Sequence, residues 1–258
     1  MDLQIRDKYF MVTGAGSGFG RAIAEALAIE GANVLAVSRT EEKLVRLKNQ
    51  FSGQVDYLSG DIMLEKTQDD IILWLGNKYL SGVLVNAGGP PAGCFDDISM
   101  DQWQEAWNSV VKWKIAFTKK FIPVFRKQHY GRMVFIESVS VKQPVKNLIL
   151  SNALRPAVVG FVKTLSQEIA ADGITANVLA PGYHSTAALE RLFVKKSELE
   201  NITPEEAQQS FENEIPVGQM ATPEEMAPLA LWLLSPLSRY VTGQTFSHDG
   251  GMVQGFFG

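Results

Sequence analysis

The segment Thr13-Gly14-Ala15-Gly16-Ser17-Gly18-Phe19-Gly20 spaces its glycines so that the backbone can turn tightly and approach a pyrophosphate. The apolar run Tyr9–Thr13 precedes it and the amphipathic stretch Gly18–Glu30 follows. The turn therefore opens onto a helix N-terminus, where free N–H groups and a partial positive charge attract phosphate. An ordinary glycine turn could use the same residues, but the flanking strand and helix set this one apart. Gly14, Ser17, Gly18, Phe19 and Gly20 are the candidate cradle. The next apolar run, Val34–Val37, ends in Ser38-Arg39. A site for NAD usually carries an acid here to accept from the adenosine ribose 2′-hydroxyl. Ser38 stands in its place, and the Arg39 fork matches a 2′-phosphate, which points to NADP. The alternative is a solvated loop arginine.

These turns need elements to hold them. Short apolar runs alternate with amphipathic stretches along the chain, the pattern of repeated βαβ units on a parallel sheet. The expected strands are Tyr9–Thr13, Asn33–Val37, Val55–Ser59, Gly82–Asn86, Arg132–Glu137, Thr175–Ala180 and Gly243–Ser247. The expected helices are Gly18–Glu30, Glu41–Gln50, Glu65–Lys78, Met100–Lys127, Ile149–Ala171 and Pro223–Ser235. Gly31 reads as a C-terminal cap, and Thr222-Pro223-Glu224-Glu225 as an N-terminal cap with acids against the helix dipole. Pro156 either kinks its helix or marks a later start. Residues 183–219 break the rhythm and are expected above the carboxyl ends of the strands, where open α/β sheets bind ligands.

Composition narrows the class. The 258 residues allow one large core, read as a single domain over 1–258. A net charge of -4 gives no bulk attraction to nucleic acid or anionic membrane. The lone Cys94 excludes an internal disulfide, and neither a leader pattern nor a spanning apolar run is visible, so a cytoplasmic protein is expected.

Taken in order, the TGAGSGFG turn, Gly60-Asp61-Ile62, Val85-Asn86-Ala87-Gly88, Ser138, Asn177 within ITANVLAPG, Pro181-Gly182 with Thr186, and Thr242-Gly243-Gln244 with Asp249-Gly250-Gly251 resemble the short-chain dehydrogenase/reductase family over nearly the whole chain. The resemblance implies a Rossmann-type, doubly wound α/β sheet of seven mostly parallel strands with helices on both faces. It places Asp61 and Ile62 beside the adenine and Asn86, Ala87 and Gly88 on the adenosine side. Pro181, Gly182 and Thr186 would meet the nicotinamide carboxamide. Met100–Lys127 and Ile149–Ala171 would form a dimer face within a tetramer; both are also apolar on more than one face, which favours a homo-oligomer.

The resemblance also implies a Tyr-x-x-x-Lys pair after the Ser138 strand, and the alignment sets Ser151 and Arg155 there. The family's asparagine aligns with Val110, and Asn108 lies off that helix face. Ser138, Ser151 and Arg155 are the candidate catalytic residues. A serine hydroxyl is a far weaker acid than a tuned tyrosine, and a guanidinium keeps its proton at every working pH. Arg155 can still fork onto the cofactor ribose or polarise a carbonyl. Lys142, Tyr183 and His184 are further candidates for the acid, each with a bland surface or loop alternative. Gly88-Gly89-Pro90-Pro91 is a stiff loop, either a substrate wall or a structural turn. Trp103, Trp107 and Trp113 read as core or dimer contacts.

The expectation is an NADP-dependent carbonyl reductase or alcohol dehydrogenase acting on a small molecule. Its rivals are an NADP-binding sensor or partner subunit without turnover and, from the same pocket, a lyase or epimerase. Residues 183–219 would set the substrate.

Overall fold

The computed structural model describes residues Met1–Phe256. Its centre is a seven-stranded sheet in the order β3-β2-β1-β4-β5-β6-β7. These strands are β1 (Tyr9–Thr13), β2 (Asn33–Ser38), β3 (Val55–Ser59), β4 (Leu80–Val85), β5 (Gly131–Ile136), β6 (Ile174–Pro181) and β7 (Thr245–His248). Every pair is parallel. Most strands are near-continuous apolar runs because helices cover both faces. Strand order reverses between β1 and β4, and ligands bind above such a switch point.

One face of the sheet is covered by α1 (Gly18–Ile29) and α9 (Pro223–Leu234), which meet along a surface of Ala24, Leu27, Ala28, Ala227 and Leu231. The second core, on the other face, mixes aliphatic side chains with an aromatic group from Trp113 to Phe125, in which Phe117 stacks on Phe121 at 4.2 Å. Its helices are α3 (Glu65–Leu75), α5 (Trp113–Gln128) and α6 (Ile149–Ile169); α2 (Glu41–Gln50) flanks β2 and β3. Both expected caps form. Gly31 adopts φ +83°, and the Glu225 carboxylate accepts from the Thr222 amide at 2.6 Å.

Two departures from the expected elements shape the site. The helix expected over Met100–Lys127 is broken into α4 (Met100–Trp107), a π-helical turn at Asn108–Lys112, and α5. The wider turn buries Val110 and Val111, leaves Asn108 exposed and delivers Trp113 and Lys114 to the interior. The Trp113 indole N–H donates to the Ser109 carbonyl at 2.8 Å, which supplies a partner inside the loosened ladder. Helix α6, by contrast, begins at Ile149 and runs through Pro156, so the later start is excluded.

Residues 183–219 contain two helices, α7 (Ala187–Glu200) and α8 (Pro204–Glu212). They share a small core of Leu189, Phe193 and Ala207, onto which Tyr183, Phe211 and Met220 pack.

Candidate active site

The carboxyl ends of β1 and β4 are joined through Thr13. Its hydroxyl donates to the Asn86 carbonyl at 2.7 Å and accepts from the Asn86 amide at 2.8 Å. This brings the glycine turn against Asn86-Ala87-Gly88. The glycines answer to distinct requirements. Gly14 has φ +66° and Gly18 φ +54°, a region that L side chains rarely adopt. A Cβ on Gly20 would stand 2.3 Å from the Gly14 carbonyl oxygen, so α1 can sit this close to the turn only without one. Ser17 is the N-terminal cap of α1 in an extended conformation. Asp61 accepts from the Met63 amide at 3.0 Å, which fixes the turn after β3 with Ile62 buried.

Ser38 ends β2 beside this turn and Arg39 follows it, exposed. The Ser38 hydroxyl is buried without a hydrogen-bond partner, and a Cβ on Gly16 would lie 2.9 Å from it. A buried polar atom without a partner is costly unless a ligand supplies one. The glycine cradle and the orphaned Ser38 hydroxyl fit a nicotinamide dinucleotide.

Across the cleft, Pro181 ends β6 and Gly182 donates to the His248 carbonyl at 2.9 Å. Thr186 caps α7, its hydroxyl accepting from the Leu189 amide at 3.3 Å. The two loops face each other: a Cβ on Gly18 would come within 3.8 Å of Thr186 Cγ2, and Phe19 packs edge-on against His184 at 4.9 Å. His184 is buried, not the plain polar loop residue that was one reading of it. Its Nε2 meets His248 Nδ1 at 2.9 Å and its Nδ1 the Gly182 carbonyl at 3.1 Å. Burial lowers its pKa, and the neighbouring His248 acts in the same direction. The Tyr183 hydroxyl donates to Glu214 at 3.0 Å and its ring packs on Phe211; burial and Glu214 push its pKa well above the usual phenol range. Tyr183 and His184, two of the three candidate acids, are thus engaged elsewhere. Asn177 is structural too, binding the Val241 carbonyl and the Gln244 amide across the turn into β7.

Ser138, Ser151 and Arg155 are brought together. Ser138 follows β5, and its Oγ accepts from the Ser140 amide at 3.2 Å. The Ser140 hydroxyl lies 2.9 Å from that of Ser151, in the first turn of α6. Arg155, one turn on, donates from Nε to Ser151 Oγ at 3.0 Å and from Nη1 to Glu137 at 3.0 Å. A Cβ on Gly89 would stand 2.7 Å from Arg155 Nη2, so the guanidinium lies against the Gly88–Pro91 loop. Asn152 secures this start of α6 by binding both the amide and the carbonyl of Val145.

Sequence reasoning missed Lys114, Glu137 and Ser140. Glu137 is fully buried and takes Lys114 on one carboxylate oxygen and Arg155 on the other. Burial lowers the Lys114 pKa, Arg155 acts in the same direction, and Glu137 opposes them. A signal was present: a glutamate closes the otherwise apolar run Met133–Ile136, and Lys114 stands four positions after Val110.

Known proteins share this arrangement of sheet and loops. Residues 14–253 match the family described as enoyl-(acyl carrier protein) reductase. The 3-oxoacyl-[acyl-carrier-protein] reductase of Thermotoga maritima is 31% identical, over 97% of this chain and 100% of its own. The L-sorbose reductase of Gluconobacter frateurii, solved with NADPH and L-sorbose, superposes with a TM-score of 0.91 at 26% identity, covering 99% of this chain and 100% of that one. A variant of actinorhodin polyketide ketoreductase, solved with NADPH, gives a TM-score of 0.91 at 26% identity over 96% of this chain and 98% of that one. With the parallel sheet, the glycine cradle at its switch point and the facing loop at Pro181–Thr186, these similarities make the chain an oxidoreductase of the short-chain dehydrogenase/reductase family.

Proposed function

We propose that the protein is an NADP-dependent carbonyl reductase, of the 3-oxoacyl-reductase kind, in which Ser151 and Arg155 occupy the positions of the family's tyrosine and lysine. The observation that carries this reading is the convergence of Ser138, Ser151 and Arg155 at the carboxyl edge of β5, beside the Gly88–Gly89 loop. Gly14, Ser17, Gly18, Phe19 and Gly20 would hold the pyrophosphate, Ser38 and Arg39 the 2′-phosphate, Asp61, Ile62, Asn86, Ala87 and Gly88 the adenosine side, and Pro181, Gly182 and Thr186 the nicotinamide. Bound NADPH supplies the hydride. The hydroxyls of Ser138 and Ser151 hydrogen-bond the substrate oxygen and hold the negative charge that grows on it. Arg155 sets its positive charge beside them and keeps Nη2 towards the cofactor loop. The alkoxide takes its proton from water, since Tyr183 and His184 are hydrogen-bonded to Glu214 and His248. General acid catalysis is worth about 10²–10⁴-fold, whereas positioning alone reaches about 7–11 kcal/mol, so turnover survives the loss of the tyrosine.

The relatives' names support ketones as the substrate class: a 3-oxoacyl thioester, a polyketide and a ketose. The chain is read as a single cytoplasmic domain, and the placement of α5 and α6 on one face of the sheet supports a homodimer or homotetramer. Light scattering at micromolar concentration gives an assembly of at least two chains.

A second reading has its own support. Arg155 is committed to Glu137 and Ser151, and Tyr183 and His184 are hydrogen-bonded elsewhere, an arrangement suited to an NADP-binding sensor or partner subunit. A screen of NADPH oxidation over ketones, aldehydes, sugars and 3-oxoacyl thioesters separates the two. Turnover of a ketone or 3-oxoacyl thioester is the expected result. Tight NADPH binding with no turnover across the panel selects the second reading.

A further inference from the structure

The groups around Ser151 form a layer of hydroxyls and charges behind it. Ser140 is 4% exposed, and the side chains of Glu137 and Lys114 are 0% and 4% exposed. Such a cluster is a poor device for stability. Desolvating three charges is expensive, and an apolar replacement of the same volume is often as stable or more so. With all three ionised, Lys114 and Arg155 also outnumber Glu137, so one positive charge remains over, close to the hydroxyls.

Hydrogen-bond valence says what this layer does. A serine hydroxyl has one hydrogen and two lone pairs, and a guanidinium can only donate. The contact at 3.0 Å from Arg155 Nε therefore fills one lone pair of Ser151. Glu137 fixes the guanidinium in that pose through Nη1, and Lys114 fixes Glu137 from the other side. The Ser140 hydroxyl at 2.9 Å has two options. If Ser151 donated to Ser140, no hydrogen would remain for a substrate oxygen. If Ser140 donates, both lone pairs of Ser151 are filled and its hydrogen must leave the cluster. A carbonyl oxygen offers only lone pairs, so a bound ketone selects the second arrangement. The Ser140 amide meanwhile occupies Ser138 Oγ at 3.2 Å, which leaves the Ser138 hydrogen to point elsewhere as well.

We infer that Ser140 is a positioning residue that turns the Ser138 and Ser151 hydroxyls outward as a paired donor to the substrate oxygen, while the Lys114–Glu137–Arg155 chain fixes the opposite side of Ser151. The inference rests on the carbonyl-reductase reading and adds to it the residues that make two serines act together. The lowered pKa of Lys114 agrees with its place in a sealed, positively charged layer. Hydrogen bonds in such a chain strengthen one another, so the loss of Ser140 is felt at Ser151 and not at the cofactor.

The test is a double-mutant cycle on the full-length protein with NADPH and the best ketone of the screen. Ser140→Ala, Ser151→Ala and the double variant are compared by kcat, KM, NADPH Kd from calorimetry, and Tm. Ser140→Ala is expected to lower kcat by about 10-fold, the scale of one hydrogen bond, with the NADPH Kd unchanged. In the double variant the loss should equal that of Ser151→Ala alone, because the first residue acts through the second. A merely structural role for Ser140 predicts multiplied losses and a shift in NADPH affinity, and either outcome overturns the inference. Should Ser140→Ala fail to fold, Ser140→Cys enters the same cycle, keeping the volume with a weaker donor. A wild-type protein that binds NADPH but reduces no carbonyl overturns the reductase reading, and this inference with it. Multiplied losses in an active enzyme overturn the inference alone.

Discussion

At the glycine turn the geometry is set by atoms that are missing, whereas beneath Ser151 it is set by charges that are present. Gly20 leaves α1 free to lie on the Gly14 carbonyl, and nothing but glycine allows it. Under the candidate serines the chain instead buries Lys114 and Glu137, sets Arg155 at their edge, and pairs Glu137 with both cations. The first solution is local and tolerates almost any neighbours. The second depends on three elements arriving together: the π-helical turn before α5, the end of β5 and the first turns of α6. The catalytic half should therefore be the more fragile under substitution of a single residue.

Glu137→Ala is the strongest challenge to that contrast. It strands two cations away from water, and breaking a buried pair by removing one partner costs about 3–5 kcal/mol. Urea unfolding should show a loss of this size. Gly20→Ala, on the other side of the comparison, should cost about 1–3 kcal/mol, the usual range for overpacking. Equal losses would mean that the ion chain is more hydrated than its burial indicates.

Ser138→Ala follows. Removing one fixed oxyanion donor lowers turnover by about 10²–10³-fold. Initial rates of NADPH oxidation should show this, with NADPH affinity intact and a smaller loss for Ser151→Ala. A larger loss for Ser151→Ala would make Ser151 a proton donor, driven by the charge of the layer behind it.

The contrast also explains what the sequence disclosed. The positive φ of Gly14 and Gly18 follows from the residue type, so the tight turn could be read directly, and the alternation of apolar runs with amphipathic stretches disclosed the parallel sheet. Ser151 and Arg155 rest on the resemblance alone, through the alignment of Ala157-Val158-Val159-Gly160, and the structure brings the two side chains within 3.0 Å. Lys114 and Glu137 could not be paired in advance. They are 23 residues apart, and their meeting follows from the π-helical turn, which no residue in Asn108–Lys112 announces. His184 and His248, 64 residues apart, were hidden in the same way.

Arg39→Ala sharpens the cofactor side. The guanidinium is exposed and therefore well screened, so its pairing with a 2′-phosphate should be worth roughly 10-fold in affinity. Calorimetric titration should show NADPH weakened by that factor and NADH unchanged, with wild type preferring NADPH. Equal affinities in wild type would return the site to NAD.

The smallest expected effect lies where the two halves meet. His184 packs on Phe19 of the glycine turn and binds His248 and the Gly182 carbonyl, so it ties the phosphate cradle to the nicotinamide loop. Burial holds its pKa below the ordinary 6.5, His248 adds to the shift, and the Gly182 carbonyl and Glu225 oppose it. The unfolded chain therefore binds a proton more readily at this position than the folded chain does. The stability that follows is fully present above about pH 6.5 and is lost as pH falls from there through the lower folded value. Replacing the imidazole by an amide that does not titrate removes this term. Between pH 7.5 and pH 5, the Tm of wild type should fall further than that of His184→Gln, with NADPH affinity following the same difference because Phe19 loses its support. Parallel Tm curves for the two proteins would show that His184 is protonated as easily in the folded state as in the unfolded one, and that the joint between the halves is indifferent to its charge.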